Sequence, residues 1–207
     1  MKYILTGLTI AVCIAAALMA QTKINPTDPQ PTCSMCPGYY IPAEELQAYT
    51  RKAIAERLTD QQVRDVEIGK AHVAIGMVHR GKLDAPAPNS VAEHDHVSEV
   101  YHVIDGSATL VLGPDIVNRQ RRPSTLRTVV EFNGPGNNGS DIRNGVAYNI
   151  KAGDVVVIPA GTGHWFTKIE DHIDYLMIRI DPDKVTPLKS AEQSKEYLSK
   201  PAPAGGQ

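Results

Sequence analysis

The side chains best suited to chemistry in this sequence are concentrated between residues 93 and 99. They are the imidazoles and carboxylates of Glu93, His94, Asp95, His96 and Glu99. These groups are the ligands that hold borderline and hard divalent metal ions in proteins. Their density in so short a segment predicts a metal site at the entrance to a strand.

The spacing of these residues indicates how they could reach a common point. Side chains two residues apart in a strand share a face, so we expect His94 and His96 to point the same way into a barrel. Glu99 is oddly spaced from both, and a bend or bulge at residues 97–98 is needed to bring it to that face. His164 is the fourth candidate, although it lies far along the chain. The predicted metal ligands are therefore His94, His96, Glu99 and His164.

A glycine and proline pattern precedes His164. Gly153 is followed after five residues by Pro159, then by Gly161 and, after two further residues, by His164. In this pattern the sequence resembles the second motif of the cupin superfamily. Lys168 stands where the family closes the motif with an asparagine, a position that is not generally a ligand.

The first cupin motif is matched by His94, His96, Glu99 and Gly106. Glu99 and Gly106 have the family's spacing, whereas two residues separate His96 from Glu99 where the family usually has three or four. His94 can therefore fill the second histidine position itself, which leaves Ala92 in the first. The motif leaves open whether His96 is a ligand.

The resemblance covers about residues 70–180 and implies an all-β fold, the double-stranded β-helix or jelly-roll barrel of an RmlC-like cupin. It also implies a metal in the barrel interior, with the remaining coordination positions open to water or substrate. Such ligands suit Fe(II), Mn(II), Ni(II) or Zn(II), and the order of affinities does not choose among them. Because cupins commonly dimerise, a homodimer is implied as well.

The chain after about residue 66 has the texture of an antiparallel β-protein. Short β-type runs separated by turn residues predict a sandwich or barrel without intervening helices. Residues 155–158 are apolar at every position, which predicts a central strand covered on both faces. Residues 133–145 are predicted to form a long irregular loop, and residues 119–123 a solvated basic hairpin tip. The predicted runs are 71–79, 99–104, 108–112, 126–132, 154–158, 164–169 and 173–180.

The predicted organisation has four parts, beginning with a secretory signal peptide. Lys2 precedes an apolar run and Ala20 a polar residue, which favours cleavage near Gln21 and a periplasmic or secreted protein with no stable membrane anchor. An uncleaved anchor, or lipoprotein processing at Cys13, is the alternative. Pro42 then opens a helical pattern after an extended arm. The parts are residues 1–20 (signal), 21–65 (arm and helix), 66–185 (barrel) and 186–207 (flexible tail).

Cys33 and Cys36 would remain after cleavage. Export places them in an oxidising compartment, which favours a local structural disulfide. A redox or zinc role uses the same spacing and stays open. If the bridge only staples a loop, Cys33→Ser should leave the metal content of the protein unchanged.

The composition narrows the range of functions. Lys and Arg total 21 against 23 Asp and Glu, a net charge of -2 with both signs interspersed, which argues against nucleic acid as a partner. The sequence carries no nucleophile elbow, phosphate-binding loop or dinucleotide fingerprint. We therefore predict a metal-dependent enzyme acting on a small oxygen-bearing molecule, of dioxygenase, isomerase or lyase type. The alternative is an exported, non-catalytic module that binds or senses a small ligand.

Tyr101 is the predicted catalytic side chain. It alternates in phase with Glu99, so its hydroxyl could reach the cavity as a hydrogen-bond donor. Packing in the core is the alternative role for this ring. Arg80, Arg143 and Arg179 could line a pocket or lie outside it, and the sequence assigns them no role.

Overall fold

The computed structural model describes residues 27–33 and 35–201. The predicted signal peptide and its cleavage point lie outside the described residues, as does the end of the predicted tail from residue 202. Among the described residues, no helix is long and apolar enough to cross a membrane. The chain divides into two compact units between Pro31 and Thr32, and the barrel belongs to the second.

The described residues of this unit form eleven strands and two α-helices. Helix α1 (Ala43–Glu56) precedes the strands and α2 (Ala191–Ser199) follows them, while a short π-helical turn (Val129–Asn133) interrupts them. The strands are β1 (Asp60–Glu67), β2 (His72–Leu83), β3 (Val91–His94), β4 (Ser98–Gly113), β5 (Ile116–Val117), β6 (Gln120–Arg121), β7 (Gly136–Gly139), β8 (Asp141–Ile142), β9 (Val146–Lys151), β10 (Val155–Ile158) and β11 (Gly163–Asp181).

Two long strands, β4 and β11, run through both halves of the barrel. The second half of β11 pairs with β2 and with the first half of β4, which gives the order β1-β2-β11-β4-β10. The first half of β11 pairs with β3 and with the second half of β4, which gives β6-β7-β3-β11-β4-β9. All of these pairings are antiparallel, and the predicted all-β jelly-roll fold is confirmed.

The strands change sheets at a glycine bend. Gly106 in β4 has φ +74, and a Cβ at this position would overlap the carbonyl oxygen of His172. The register of β4 against β11 is irregular between Lys168 and Ile173, at the same level of the barrel. A residue with a side chain could not take this conformation without moving β11, which explains the glycine that closes the first motif.

The interior between the sheets is filled by alternating apolar residues of the strands, as the period of a pleated strand requires. Their side chains form one buried cluster with three aromatic rings. The cluster contains Val78, Tyr101, Val103, Ala108, Leu110, Ile150, Ile158, Phe166, Ile169, Ile173, Tyr175 and Met177.

The two helices cover the outer face of β1 and β2. Tyr49 of α1 packs with Val63 and Met77, and its ring stacks on that of Tyr197 in α2 at 5.5 Å between centroids. Helix α1 begins just after Pro42, as the sequence predicts, with acidic residues in its first turn. Ile54 of the same helix is 57% exposed.

Strand β10 is not the central strand that its apolar sequence predicts. It pairs only with β4 among the described residues, and so forms the edge of its sheet. Val155 and Val157 are 61% and 63% exposed, whereas Ile158 faces the core. Exposure alternates along β10 because no element of the described chain covers the outer face of the strand.

Two further predictions about the connections were wrong. The run 126–132, predicted as a strand, forms turns that lead into the π-helical turn, with Val129 and Phe132 on the buried side. The segment 133–145, predicted as an irregular loop, contains β7 and β8. Its glycines allow close approach, since a Cβ at Gly136 would overlap the carbonyl oxygen of Glu93 on β3.

Candidate metal centre

Three of the four predicted ligands meet in the barrel interior. His94, Glu99 and His164 are all buried, and each offers a ligand atom within 4.8 Å of the others. Nε2 of His94 lies 3.3 Å from Oε1 of Glu99, and Nε2 of His164 lies 3.6 Å from Oε2. The two imidazole rings are 5.1 Å apart between centroids.

A bend between β3 and β4 turns Glu99 toward His94. Strand β3 ends at His94 and β4 begins at Ser98, with a bend between them in which Val97 is buried. This is the irregularity that the odd spacing predicts, and it places His94 and Glu99 on the same interior wall.

The turn of the second motif is fastened to the first motif. Gly161, with φ +80, donates its backbone N–H to the carbonyl oxygen of His94 at 2.8 Å. The N–H of Ala160 bonds the Ser98 hydroxyl oxygen at 3.0 Å. His164 then enters β11 opposite Ala92 of β3. The two motifs, separated along the chain, are thus joined through backbone hydrogen bonds at the site.

Glu99 is ionised despite its burial. Burial alone would raise the pKa of this carboxyl, but His94 and Arg179 hold it well below its usual range. Arg179 lies behind Glu99, with Nε 3.4 Å from Oε1. The Arg179 guanidinium also pairs with Asp60 and donates to Oε1 of Gln62 at 2.7 Å. Glu99 is therefore a fixed negative charge that faces two imidazoles.

His164 presents a neutral imidazole to this charge. Burial lowers the pKa of His164 to about 4, and the neighbouring Glu99 only partly opposes the effect. Nδ1 lies 3.3 Å from the carbonyl oxygen of Thr162, which can only accept a hydrogen bond. The proton is thereby assigned to Nδ1, and Nε2 keeps its lone pair toward Glu99.

His94 is held differently, because a guanidinium occupies its other nitrogen. Nη2 of Arg122 lies 3.0 Å from Nδ1 of His94 and also contacts the carbonyl oxygen of Glu93. Since a guanidinium can only donate, Nδ1 accepts, and in the neutral ring the proton lies on Nε2, which faces Glu99. Metal ligation through Nε2 therefore requires the other tautomer of His94 and the loss of the Arg122 hydrogen bond.

Tyr101 reaches the cluster from the core side. Its hydroxyl donates to Oε2 of Glu99 at 2.8 Å, and its ring meets that of His164 edge to face. Burial and the adjacent carboxylate raise the pKa of Tyr101 well above its usual value. The hydroxyl therefore keeps its proton at neutral pH and stays a donor.

His96 lies outside this cluster. Its side chain is 42% exposed, and Nδ1 is 2.7 Å from Oδ2 of Asp183 on the surface. The geometry therefore places His94, and not His96, beside Glu99, because the chain bends immediately after β3. The other predicted pair, Cys33 and Cys36, forms a disulfide, and the choice between its structural and redox roles stays a prediction.

Three arginines near the site received no role from the sequence. Arg179 is 1% exposed behind Glu99, and Arg80 lines a cavity that reaches His164. Arg122 lies beyond β6, in the tip predicted to be solvated, yet it bonds His94. The one available sequence signal was for Arg179, which continues the alternation of apolar residues at 173, 175 and 177. Alternate positions of a strand share a face, so Arg179 faces the interior with them.

The donor set of the cluster fits a divalent metal ion. A neutral imidazole, an ionised carboxylate and a second imidazole that needs only a change of tautomer are mixed nitrogen and oxygen ligands of the kind that Fe, Mn, Ni and Zn accept. Three protein ligands leave coordination positions for water or substrate. The residues that would hold the ion are His94, Glu99 and His164.

Comparison with known proteins gives structural matches alone. No protein-family model matches the chain, and no curated protein matches its sequence. A Bacillus halodurans protein is 13% identical with a TM-score of 0.42, over 75% of this chain and 89% of that one. A cupin protein from Bacteroides fragilis is 14% identical with a TM-score of 0.34, over 56% and 72%. An RmlC-like cupin with a double-stranded β-helix fold from Methanocaldococcus jannaschii is 16% identical with a TM-score of 0.33, over 60% and 85%.

The assignment of the fold rests on the chain itself, since each of these similarities is low. Both motif turns lie at the ends of strands whose side chains meet inside the barrel. The glycines of the motifs, Gly106, Gly153 and Gly161, all have positive φ. Barrel topology and motif geometry together give this chain the fold of the cupin superfamily.

Proposed function

We propose that this protein is a metal-dependent enzyme that acts on a small oxygen-bearing molecule by chemistry of the dioxygenase, isomerase or lyase type. One observation carries the proposal: His94, Glu99 and His164 converge in the barrel interior, and His164 also lines a cavity of about 170 Å³. A buried set of ligands that ends in a small cavity is the arrangement that a substrate needs to approach a metal.

The metal would supply Lewis acidity toward a substrate oxygen. The chain's own residues hold and orient the ligands. Arg179 fixes Glu99 from behind, and Thr162 fixes the tautomer of His164, so both ligands are aligned before the substrate arrives. Tyr101 keeps its proton and donates it to Oε2 of Glu99 at 2.8 Å, so it would serve a reacting oxygen only in exchange for this hydrogen bond.

Water is restricted by the aromatic wall of the interior. The rings of Tyr101 and Tyr175 lie 4.4 Å apart between centroids, and Phe166 stacks near both. Such a wall lowers the local dielectric and strengthens the hydrogen bonds at Glu99. The interior therefore suits chemistry on a polar group that is removed from bulk water.

One observation favours the second candidate function, a non-catalytic module that binds or senses a small ligand. The hydrogen bond from Arg122 to His94 stabilises the tautomer of His94 that does not ligate a metal through Nε2. A protein that keeps this bond would bind its ligand with the cavity alone. Metal content and turnover, measured together, separate the two functions.

We also propose that the protein is exported to the periplasm or secreted, with a small-molecule substrate or ligand as its partner. Support comes from the signal-like sequence before Gln21 and from the disulfide between Cys33 and Cys36, a bond typical of oxidising compartments. Determination of the amino terminus of the mature protein tests the cleavage. The homodimer stays a prediction, which the mass in solution would test.

The central experiment measures metal and turnover in the same samples. The mature protein is purified without added metal, under air and anaerobically, and its Fe, Mn, Ni and Zn contents are determined. Oxygen consumption and conversion of small oxyacids are then followed for the wild type, for His164→Ala and for His102→Ala, which removes an exposed histidine of the same strand as Glu99.

An enzyme should contain close to one metal ion per chain and lose both metal and turnover in His164→Ala, with His102→Ala unchanged. Metal without turnover in the wild type would support the binding module. Absence of metal from the wild type, even after reconstitution with each ion, would refute the metal-dependent enzyme.

A further inference from the structure

The cavity in front of His164 has one cationic wall. Its volume is about 170 Å³, and the loop between β2 and β3 contributes Ala87 and Ser90 to its lining. Most of its lining is apolar, so any polar group in it has a large effect on what can bind. The lining residues are Arg80, Leu83, Ala87, Ser90, Ala92, His164 and Phe166.

Arg80 is held in place by neutral partners. Its guanidinium lies over the ring of Phe166, 4.6 Å from the centroid, and Nε is 3.2 Å from the hydroxyl oxygen of Tyr175. Among the residues that the structure describes, no carboxylate forms an ion pair with it. The outer nitrogens of the guanidinium are therefore left for another partner at the cavity wall.

Arg179, in the neighbouring strand β11, shows what a structural arginine in this barrel looks like. Its charge is balanced by Asp60 and Glu99, and its third contact goes to Gln62. A buried cation is costly unless it is paired, and Arg179 is paired by the protein itself. Arg80 feels the charge of Asp60, but Asp60 pairs directly with Arg179, and no described carboxylate lies within ion-pair distance of Arg80. A carboxylate from outside would therefore be its first direct ionic partner.

We infer that the cavity binds a short organic acid whose carboxylate pairs with Arg80 and whose hydroxyl or carbonyl oxygen faces His164 and the metal cluster. Only the part of this inference that concerns the metal cluster rests on the proposed function; the pairing of a carboxylate with Arg80 does not. The planar fork of a guanidinium binds a carboxylate through two parallel hydrogen bonds. The volume of the cavity equals that of about six water molecules in the liquid. The acid is therefore a short-chain hydroxy- or oxo-acid.

A natural reporter adjoins the cavity. Trp165 is the single tryptophan of the chain, and its Nε1–H donates to the hydroxyl of Ser90 at 2.8 Å. Ser90 itself lines the cavity. A ligand that fills the cavity should therefore alter the tryptophan fluorescence, whether or not any turnover occurs.

The test compares two probes of nearly equal size, 3-hydroxybutyrate and 3-hydroxybutanamide, which differ in the charge and the hydrogen bonding of one terminal group. Dissociation constants are measured by tryptophan fluorescence and calorimetry on the mature protein, whose metal content is determined in each sample. The variants are Arg80→Gln, Arg80→Lys and, as a matched control, Arg143→Gln, which removes an exposed arginine that pairs with Asp115.

The acid should bind the wild type at least about tenfold more tightly than the amide. Arg80→Gln should weaken binding of the acid by about 10- to 100-fold, with little change for the amide or in metal content. Arg80→Lys keeps the positive charge but lacks the two parallel donors of the guanidinium, so acid binding should weaken by an intermediate factor. This variant serves as the test if Arg80→Gln does not fold. Arg143→Gln should match the wild type.

Equal binding of acid and amide by the wild type would overturn the inference, as would an unchanged preference in a folded Arg80→Gln protein. Neither result touches the proposed function if the metal is present. Conversely, a preference for the acid that depends on Arg80, in protein that takes up no metal, supports the carboxylate site and refutes only the metal-dependent enzyme.

Discussion

Two carboxyl groups of this protein, Glu99 and Asp65, are equally hidden from solvent but have opposite surroundings. Each residue is 2% exposed. Glu99 faces two imidazoles and an arginine, and its interactions with His94 and Arg179 hold its pKa well below the usual range against the effect of burial. Asp65, on β1, lies near a second carboxylate, Asp181, and burial raises its pKa to about 6.

The hydrogen bonds at Asp65 are consistent with a protonated carboxyl. The single hydroxyl of Thr186 lies 2.9 Å from Oδ2 of Asp65 and 2.9 Å from Oδ2 of Asp181. One hydroxyl proton serves only one of the two acceptors, so the other contact is satisfied when a carboxyl carries a proton. Burial alone therefore does not make a site: the neighbours decide whether a buried acid stays ionised at low pH, as Glu99 does, or takes up a proton near pH 6, as Asp65 does.

The largest effect that tests this contrast is expected for Glu99→Gln. The variant removes the only carboxylate of the cluster and leaves Arg179 with Asp60 as its remaining counter-ion. We expect loss of stoichiometric metal and a fall of about 3 kcal/mol in the free energy of unfolding, at the lower end for breaking a buried pair. Elemental analysis and urea unfolding measure both. Retention of full metal content and stability would show that Glu99 differs little from Asp65.

A second substitution tests how a neighbouring cation affects metal binding at the cluster. Arg122→Gln removes the donor that holds His94 in the tautomer unable to ligate through Nε2. We expect metal to bind about tenfold more tightly, the equivalent of one charged hydrogen bond. Competition with a chelator measures the affinity, and Arg121→Gln, an exposed neighbour paired with Asp95, is the control. Weaker binding in Arg122→Gln would instead assign Arg122 to the metal-bound state.

The pH dependence of stability tests the Asp65 side. Because the pKa of Asp65 is raised from 3.8 to about 6 in the folded state, the folded protein holds a proton that the unfolded chain has lost in this window. The free energy of unfolding should therefore fall as pH rises from about 4 to 6. After discounting for solvent screening, we expect a contribution of about 1 kcal/mol.

Asp65→Asn removes this titration and keeps the shape of the side chain. Its unfolding curves should show a smaller decline between these pH values than those of the wild type. The variant should be at least as stable as the wild type above pH 6, since the asparagine needs no deprotonation. A decline of the same size in both proteins would assign the proton to another group.

The smallest effect is expected at His96. Its exposed pair with Asp183 is of a kind that contributes little, so His96→Ala should change stability by less than about 0.5 kcal/mol. Metal content should equal that of the wild type, because the side chain lies outside the cluster. Elemental analysis alongside thermal unfolding checks both, and a loss of metal would restore His96 as a ligand.

Local sequence was enough to predict the barrel and most of the site. The glycines of both motifs mark conformations that other residues rarely adopt, and the spacing of Glu99 from Gly106 and of Gly161 from His164 identifies the turns. The helix after Pro42 is signalled in the same way, by residues that prefer its first turn. These features depend on neighbours along the chain, which is why spacing alone reveals them.

The tertiary structure decided what depends on neighbours in space. His94 and His96 have the same chemistry and lie only two residues apart, but only the bend after β3 determines which of them faces Glu99. The apolar run at β10 lies on an edge because no element of the described chain covers its outer face.

The roles of three arginines also depend on their neighbours in space. Arg80, Arg122 and Arg179 cannot be distinguished by type, yet one borders a cavity, one competes for a histidine and one supports a carboxylate. What distinguishes them is the partner that the fold brings to each guanidinium. An ion pair forms between side chains distant in sequence, so it exists only once the strands have paired.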